Sequence, residues 1–233
     1  MGLLRFLSIP RHLGSLPIRL FTQSSLRSCP TLQTSNGLKP CETCITASDR
    51  ATEEDIRGSF FVYKDFISEE EEQSLFDEVE PYLKRLHYEQ DHWDDAIHGY
   101  RETERQQWTK KNRGIIQRVR DLAFPPGVPQ LSYVHVLDLQ KTGCVKAHID
   151  SIKFCGSTIA GLSLLSNSVM RLVHDKTKSR VADIYAERRA LYIMTGSSRY
   201  DYTHEILGES ESFFEGKAVE RDRRISIVCR NKP

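Results

Sequence analysis

Apolar and polar positions alternate in two different periods along this chain, and the change from one to the other outlines the fold. Ser59–Ile67 carries Phe60, Phe61, Val62, Tyr63 and Phe66, a first strand by its aromatic and β-branched content. Ser68 followed three residues later by Glu71 predicts a capped helix start. Leu75, Val79, Leu83 and Leu86 then recur at helical spacing and mark its buried stripe. A second helix is expected near Trp108–Ala123, with Ile115, Val119 and Leu122 inward and Pro125-Pro126-Gly127 ending it. From Leu131 the pattern breaks into short apolar runs: Tyr133–Leu139, Thr158–Ser166, Val169–His174, Leu191–Met194, His204–Leu207 and Arg224–Arg230. Many strands after two helices predict a mainly β domain, a β-sandwich buttressed by helices. No internal repeat is visible, and the polar segment Ser48–Gly58 reads as a linker.

The first acidic residue is Glu42, and before it stand Arg5, Arg11, Arg19, Arg27 and Lys39 among serines and leucines. An acid-free, Arg- and Ser-bearing start of this kind is expected of a mitochondrial transit peptide. The expected organisation is therefore a leader over 1–46, a linker over 47–58 and one catalytic domain over 59–233. No apolar run is long enough to span a bilayer. Without the leader the chain keeps 28 basic and 31 acidic groups, net −3. That balance is the reverse of what a protein living on phosphate contacts usually shows, although a local basic groove around Arg188, Arg189 and Arg199 remains open.

Six cysteines do not make a disulfide scaffold. Cys41-Glu42-Thr43-Cys44 is a single Cys-x-x-Cys in the leader, without the second pair a zinc finger needs, and is expected to be incidental. Cys144, Cys155 and Cys229 lie in or beside apolar runs and are expected to be reduced core thiols.

Candidate chemistry centres on His148-Ile149-Asp150. Two residues two apart on a strand project from one face, so an imidazole and a carboxylate can reach a common ion. His204 from a later strand would complete a 2-His-1-carboxylate set, the ligand pattern of non-haem Fe(II) oxygenases. In Arg224–Arg230 the period is two, which puts Arg224, Ser226 and Arg230 on one face. A guanidinium fork on a rigid strand suits a carboxylate, and a dicarboxylic co-substrate chelating iron at one end needs such a clamp at the other. The alternative is that Arg221, Arg223, Arg224 and Arg230 form an exposed basic edge. His135 and His174 are expected to be structural. His92 and His98 flank a stretch that could line the mouth of the site, and Asp201 either orients a ligand or lies at the surface.

These residues resemble the AlkB-like Fe(II)/2-oxoglutarate dioxygenases over about Phe60–Arg230. The order His148-Ile149-Asp150, then Arg199-Tyr200-Asp201-Tyr202-Thr203-His204, then Arg224-x5-Arg230 carries the resemblance. Asp91-His92-Trp93-Asp94, Ala96-Ile97-His98-Gly99, Asp150–Gly156 and Ile159–Leu165 bring it nearest to the mitochondrial branch of AlkB homologue seven. The resemblance implies a double-stranded β-helix (jelly-roll) core, Fe(II) held by His148, Asp150 and His204, and 2-oxoglutarate and molecular oxygen as co-substrates. It further implies 2-oxoglutarate held by Arg224 and Arg230, with Tyr192 at the position of a tyrosine that also reaches it. One departure stands out: Val136-Leu137-Asp138-Leu139-Gln140 lacks the Asn-x-Tyr common in nucleic-acid repair members. A basic, aromatic hairpin that would grip a flipped base is also not evident. The expected activity is hydroxylation of a protein side chain in the mitochondrial matrix by a monomer, with the branch's links to fatty-acid metabolism and regulated necrosis. Demethylation of mitochondrial RNA and a slow-turnover protein-binding scaffold are the alternatives.

Overall fold

The computed structural model describes residues 38–91 and 96–233. In chain order the elements are β1 (Ile45–Ala47), α1 (Arg50–Arg57), β2 (Phe60–Tyr63), α2 (Glu69–Leu83), β3 (Glu89–Asp91), β4 (Ile97–Arg105) and α3 (Lys110–Ala123). They continue with β5 (Val134–His148), β6 (Thr158–Leu164), β7 (Ser168–His174), β8 (Val181–Ala186), β9 (Leu191–Thr195) and α4 (Gly196–Tyr200). The last are β10 (Tyr202–Ile206), the two-residue β11 (Phe213–Phe214) and β12 (Lys217–Ala218), and β13 (Arg224–Arg230).

The strand path β1-β8-β7-β10-β5-β13-β6-β9-β2 is antiparallel at every step. β5 belongs to both halves of that path. Val136–Leu139 pair with β13, whereas Val145 and His148 pair with β10. One long strand thus bends from one sheet into the other, and the two inner faces meet as a jelly roll. The apolar cluster between them joins Leu172 and Ile184 from one half with Ile159, Tyr192 and Val228 from the other. A second cluster lies behind β6, β9 and β13, where α2 and α3 press Leu75, Val79, Leu83, Ile115 and Val119 onto the sheet. The helices buttress the sheet as expected.

The capping box is present: Glu71 N–H donates to Ser68 Oγ, and Ser68 N–H donates to a Glu71 carboxylate oxygen at 3.0 Å. Leu86 lies beyond the helix end and is exposed, so the buried stripe stops at Leu83.

Three expectations need correction. The supposed linker holds α1, capped by Asp49, which accepts a hydrogen bond from Thr52 N–H at 2.8 Å. Asp55 on that helix accepts from Ser197 Oγ at 2.6 Å, Tyr202 Oη at 3.0 Å and Arg180 at 2.8 Å, so the segment is part of the domain. The expected leader boundary at residue 46 falls inside packed structure too. Cys44 is fully buried, and Ile45–Ala47 pair with Ala182–Ile184 at the sheet edge. The Cys-x-x-Cys is therefore in the fold and not in a loose tail. Residues 1–37 and His92 lie outside the described residues.

Among the described residues Arg188, Arg189 and Arg199 do not form a shared basic groove. Arg188 pairs with Glu72, Arg189 pairs with Asp65 and Glu69, and Arg199 is buried. β4 and β8 were not foreseen. β4 is held by charge across strands, through Arg101–Asp138 at 2.7 Å and Glu102–His135 at 2.8 Å.

Candidate metal centre and co-substrate pocket

His148 is the last residue of β5, and His204 is its direct cross-strand partner on β10. Side chains opposite each other in an antiparallel pair stand on the same face, and the two ring centroids are 4.3 Å apart. Asp150 departs from the expected strand geometry. It sits two residues beyond the end of β5, so the pleat does not aim it. Its orientation comes from its partners: His148 Nε2 at 3.3 Å and Arg230 Nε at 3.4 Å. Arg199, buried and reaching across from α4, fixes the following turn by donating to the Cys155 and Gly156 carbonyls at 3.3 and 3.2 Å. One ligating atom from each of His148, Asp150 and His204 lies within 4.8 Å of the others, the spacing of atoms around one ion.

The charge states suit a cation. Burial, reinforced by the neighbouring His148, pulls His204 down to about 3, which keeps its imidazole neutral and able to ligate. Burial alone would raise Asp150, but the His148 hydrogen bond and the Arg230 charge hold it well below the usual carboxylate range. His148 Nδ1 lies 2.8 Å from the Lys146 carbonyl. A carbonyl only accepts, so Nδ1 carries a proton, which leaves Nε2 as the nitrogen that could ligate a metal.

A cavity of about 390 Å³ opens from this cluster between the two sheets. Its far side is lined by Tyr192, Arg224, Ser226 and Val228, and its near side by the triad and Arg230. Arg224 is only 2% exposed. It donates to Ser226 Oγ and to Ser163 Oγ at 2.9 Å, while its Nε is buried without a partner. Among the described residues no carboxylate forms an ion pair with it. Burial draws the guanidinium down to about 10, so it stays charged near neutrality. An isolated buried charge is costly; one facing a cavity is a receptor for an anion.

Tyr192 stacks on Phe60 with ring centroids 5.9 Å apart and lies over Gly161 on the neighbouring strand. A Cβ at position 161 would collide with the Tyr192 ring. The glycine is what lets the tyrosine lie flat against the sheet. Burial raises the Tyr192 phenol, so its hydroxyl keeps its proton as a donor, and the Arg224 and Arg230 charges work in the opposite direction.

The basic-edge alternative fails for this strand. Arg221 and Arg224 are buried, and Arg223 pairs with Asp138 and Glu80. His135 bonds Glu102, and His174 packs edge-on against Tyr202, both in structural roles. Asp201 is exposed and ends α4, so it belongs to the surface. Sequence reasoning missed Ser163, Gly161, Arg199 and Cys155. The small residues Gly161 and Ser163, two apart within the apolar run of β6, were the available signal.

The chain is 52% identical over 189 residues to the mitochondrial alpha-ketoglutarate-dependent dioxygenase alkB homolog 7 of Mus musculus, covering 81% of this chain and 86% of that protein. The Bos taurus protein of the same description is 51% identical over the same length and shares. The chain belongs to the alkB homolog 7 family. Both relatives are mitochondrial, which places this member of the family in the mitochondrion as well. Two solved structures share the fold at 12% identity: OsALKBH1, with a TM-score of 0.54 over 74% of this chain and 97% of that one, and a Pseudomonas putida prolyl-4-hydroxylase, with 0.51 over 78% and 98%. No protein-family model matches the chain.

Proposed function

We propose that His148, Asp150 and His204 hold Fe(II), that Arg224, Ser226, Tyr192 and Arg230 hold 2-oxoglutarate, and that the product is a hydroxylated protein side chain in the mitochondrial matrix. As a member of its family the protein is a dioxygenase dependent on Fe(II), 2-oxoglutarate (alpha-ketoglutarate) and molecular oxygen. Bound iron, with its co-substrates, supplies oxidation of a C–H bond coupled to decarboxylation of 2-oxoglutarate to succinate. The observation that carries the residue roles is the buried, carboxylate-free Arg224 facing the same cavity as the triad.

In this reading each side chain has a separate task. Three ligands on one side leave the remaining positions of an ion open towards the cavity. Arg224 receives the distal carboxylate of 2-oxoglutarate as two parallel charge-assisted bonds, with the Ser226 and Ser163 hydroxyls fixing the plane of the fork. Tyr192 donates its hydroxyl proton from β9, two strands away from Arg224. Arg230 keeps Asp150 ionised and aimed. Leu137, Ile159, Met170 and Met194 keep the space between the two ends dry.

A protein substrate is supported by three features. Residues 47–233 carry net −3. Arg188 and Arg189 are already paired with acidic side chains, and Arg199 is buried. Ile152 and Phe154, on the turn after Asp150, are 65% and 76% exposed, and Phe154 borders the cavity mouth. Exposed apolar side chains beside a pocket suit a protein surface better than a phosphate backbone. The physiological setting follows the family branch, with fatty-acid metabolism and regulated necrosis as its outputs. The import leader lies within residues 1–37, and a single chain builds the whole site.

The test measures succinate release by iron-loaded protein with matrix protein fractions and, separately, with methylated mitochondrial RNA. Stimulation by protein, lost in His204→Ala, is expected. Stimulation by RNA alone would replace this reading with RNA demethylation. Stimulation by neither, with a partner retained, would favour the scaffold.

A further inference from the structure

Cys41 and Cys44 bracket the short 3-10 turn Glu42–Cys44 that leads into β1. The single turn between them holds the two cysteines on one short, folded-back segment. Their surroundings differ sharply. Cys41 is half-buried, whereas Cys44 is fully buried among Ile56, Phe60 and Val62 in the inter-sheet cluster. The backbone around them is tied down at both ends: Cys41 N–H donates to the Val62 carbonyl at 2.7 Å, and Ile45 pairs with Ile184.

Thr43 Oγ1 lies 3.4 Å from Cys41 Sγ, and the Lys64 ammonium bears on both sulfurs. Partial burial raises the Cys41 thiol, but the hydrogen bonds with Cys44 and Thr43 and the Lys64 charge outweigh it, leaving it below its ordinary value. Cys44 is pushed up to about 12, first by burial and then by its bond to Cys41. An accessible sulfur that favours the thiolate, backed by a buried protonated partner, is the arrangement thiol–disulfide exchange uses. A metal site is the competing use of such a pair. Among the described residues the only cluster with metal-ligand spacing is His148, Asp150 and His204, so these two cysteines have no further ligands to complete a tetrahedral set.

We propose that Cys41 and Cys44 form a redox-active dithiol that a low-molecular-weight disulfide oxidises to an intramolecular disulfide. The Cys41 thiolate, its proton already released to solvent, attacks one sulfur of the oxidant RSSR. The RS–SR bond breaks, a mixed disulfide forms on Cys41, and RS⁻ leaves and takes up a proton. Cys44 then loses its proton and attacks Cys41 Sγ, expelling the second RS⁻, which is protonated in turn. Two electrons and two protons pass from the dithiol to the oxidant, giving one protein disulfide and two RSH. The site needs only that the import leader end before Cys41, as the packing of Cys44 and β1 indicates.

Full-length protein is equilibrated in buffers of varied reduced and oxidised glutathione, quenched with an alkylating reagent, and read by peptide mass spectrometry. The peptide containing Cys41 and Cys44 is expected to lose two hydrogens in oxidising buffer and regain them on reduction, while buried Cys155 and Cys229 stay reduced. At neutral pH iodoacetamide is expected to modify Cys41 at least about tenfold faster than the half-buried Cys144, whose thiol burial raises. Cys44→Ala is expected to accumulate glutathione on Cys41, because the resolving sulfur is gone. A pair that stays reduced across the series overturns the proposal on wild-type protein alone. So does a Cys44→Ala protein that takes up no glutathione while its circular dichroism matches wild type.

Discussion

Replacing Arg224 with methionine separates the cost of the buried charge from its use. Methionine keeps the length and most of the volume of the stem but removes the guanidinium. In the ligand-free protein that charge is 2% exposed and unpaired by any described carboxylate. Its removal therefore relieves a desolvation cost that ordinary buried ion pairs share between two groups. Against that gain, Ser226 and Ser163 each lose a donor, worth about 1 kcal/mol apiece. The two effects have opposite signs and similar size, so Arg224→Met without ligand should lie within about 1 kcal/mol of wild type or above it. Binding should respond differently. Loss of a charge-assisted bond costs about 1.5–3 kcal/mol, which weakens 2-oxoglutarate roughly 10- to 150-fold. Urea denaturation gives the first number, and calorimetric titration of 2-oxoglutarate into metal-loaded protein gives the second. Excess 2-oxoglutarate should raise the wild-type melting point through linkage and leave the variant nearly unmoved. A variant that loses more than about 3 kcal/mol of ligand-free stability while binding 2-oxoglutarate normally would refute the assignment, since Arg224 would then be structural.

Gly161→Ala should weaken 2-oxoglutarate binding and cost about 1–3 kcal/mol, because the new methyl collides with Tyr192; in a Tyr192→Ala background the same change should be nearly neutral by double-mutant cycle. Asp55→Ala should lower stability by about 2–3 kcal/mol in urea melts, since three hydrogen bonds end on that carboxylate. Burial would raise Asp55, but the Ser197, Tyr202 and Arg180 bonds outweigh it and hold it low. Its contribution is therefore complete above the unfolded pKa near 3.9 and fades as pH falls through the lower folded value, a loss that acid titration of the variant should lack. Deleting residues 1–37 should leave the urea midpoint unchanged, while deleting 1–46 should cost about 2–4 kcal/mol by removing buried Cys44 and Ile45; equal midpoints would return the leader boundary to residue 46.

What the sequence made legible divides along one physical line. β6, β7, β9 and β13 were read to within a residue or two because both faces of these strands are largely buried and the apolar run shows it. β4 and α1 were not, because each is stabilised by charge. Ile97–Arg105 alternates ionic side chains whose partners, Asp138, His135 and Glu78, are distant in sequence. Arg50–Arg57 shows few apolar positions, and its anchor is the carboxylate of Asp55. The same line runs through the site. His148 and His204 were found by spacing, and strand register brings them together. Asp150 was singled out by spacing too, yet a turn and its contacts with His148 and Arg230 position it, something no periodicity encodes. The shared face of Arg224 and Ser226 followed from period two, whereas the places of Ser163 and Gly161 need the neighbouring strand to be known.

The strand order also sets a schedule for synthesis. β1 and β2, near the beginning of the chain, close opposite ends of the strand path, and each pairs only with a strand made much later: Ile45 with Ile184, Phe60 with Met194. At ribosomal speeds of about 5–20 residues per second, a nascent chain carries these aromatic and β-branched edges without strand partners for roughly 7–28 seconds. Before then both strands have only the local packing around α1, and strand pairings this distant are slow to find. During that interval the chain is open to chaperones and to a translocation machinery that needs unfolded polypeptide. The two histidines meet only when β10 is laid against the end of β5. An ion held by this pair can therefore be captured only late in folding, once the far end of the chain has been built.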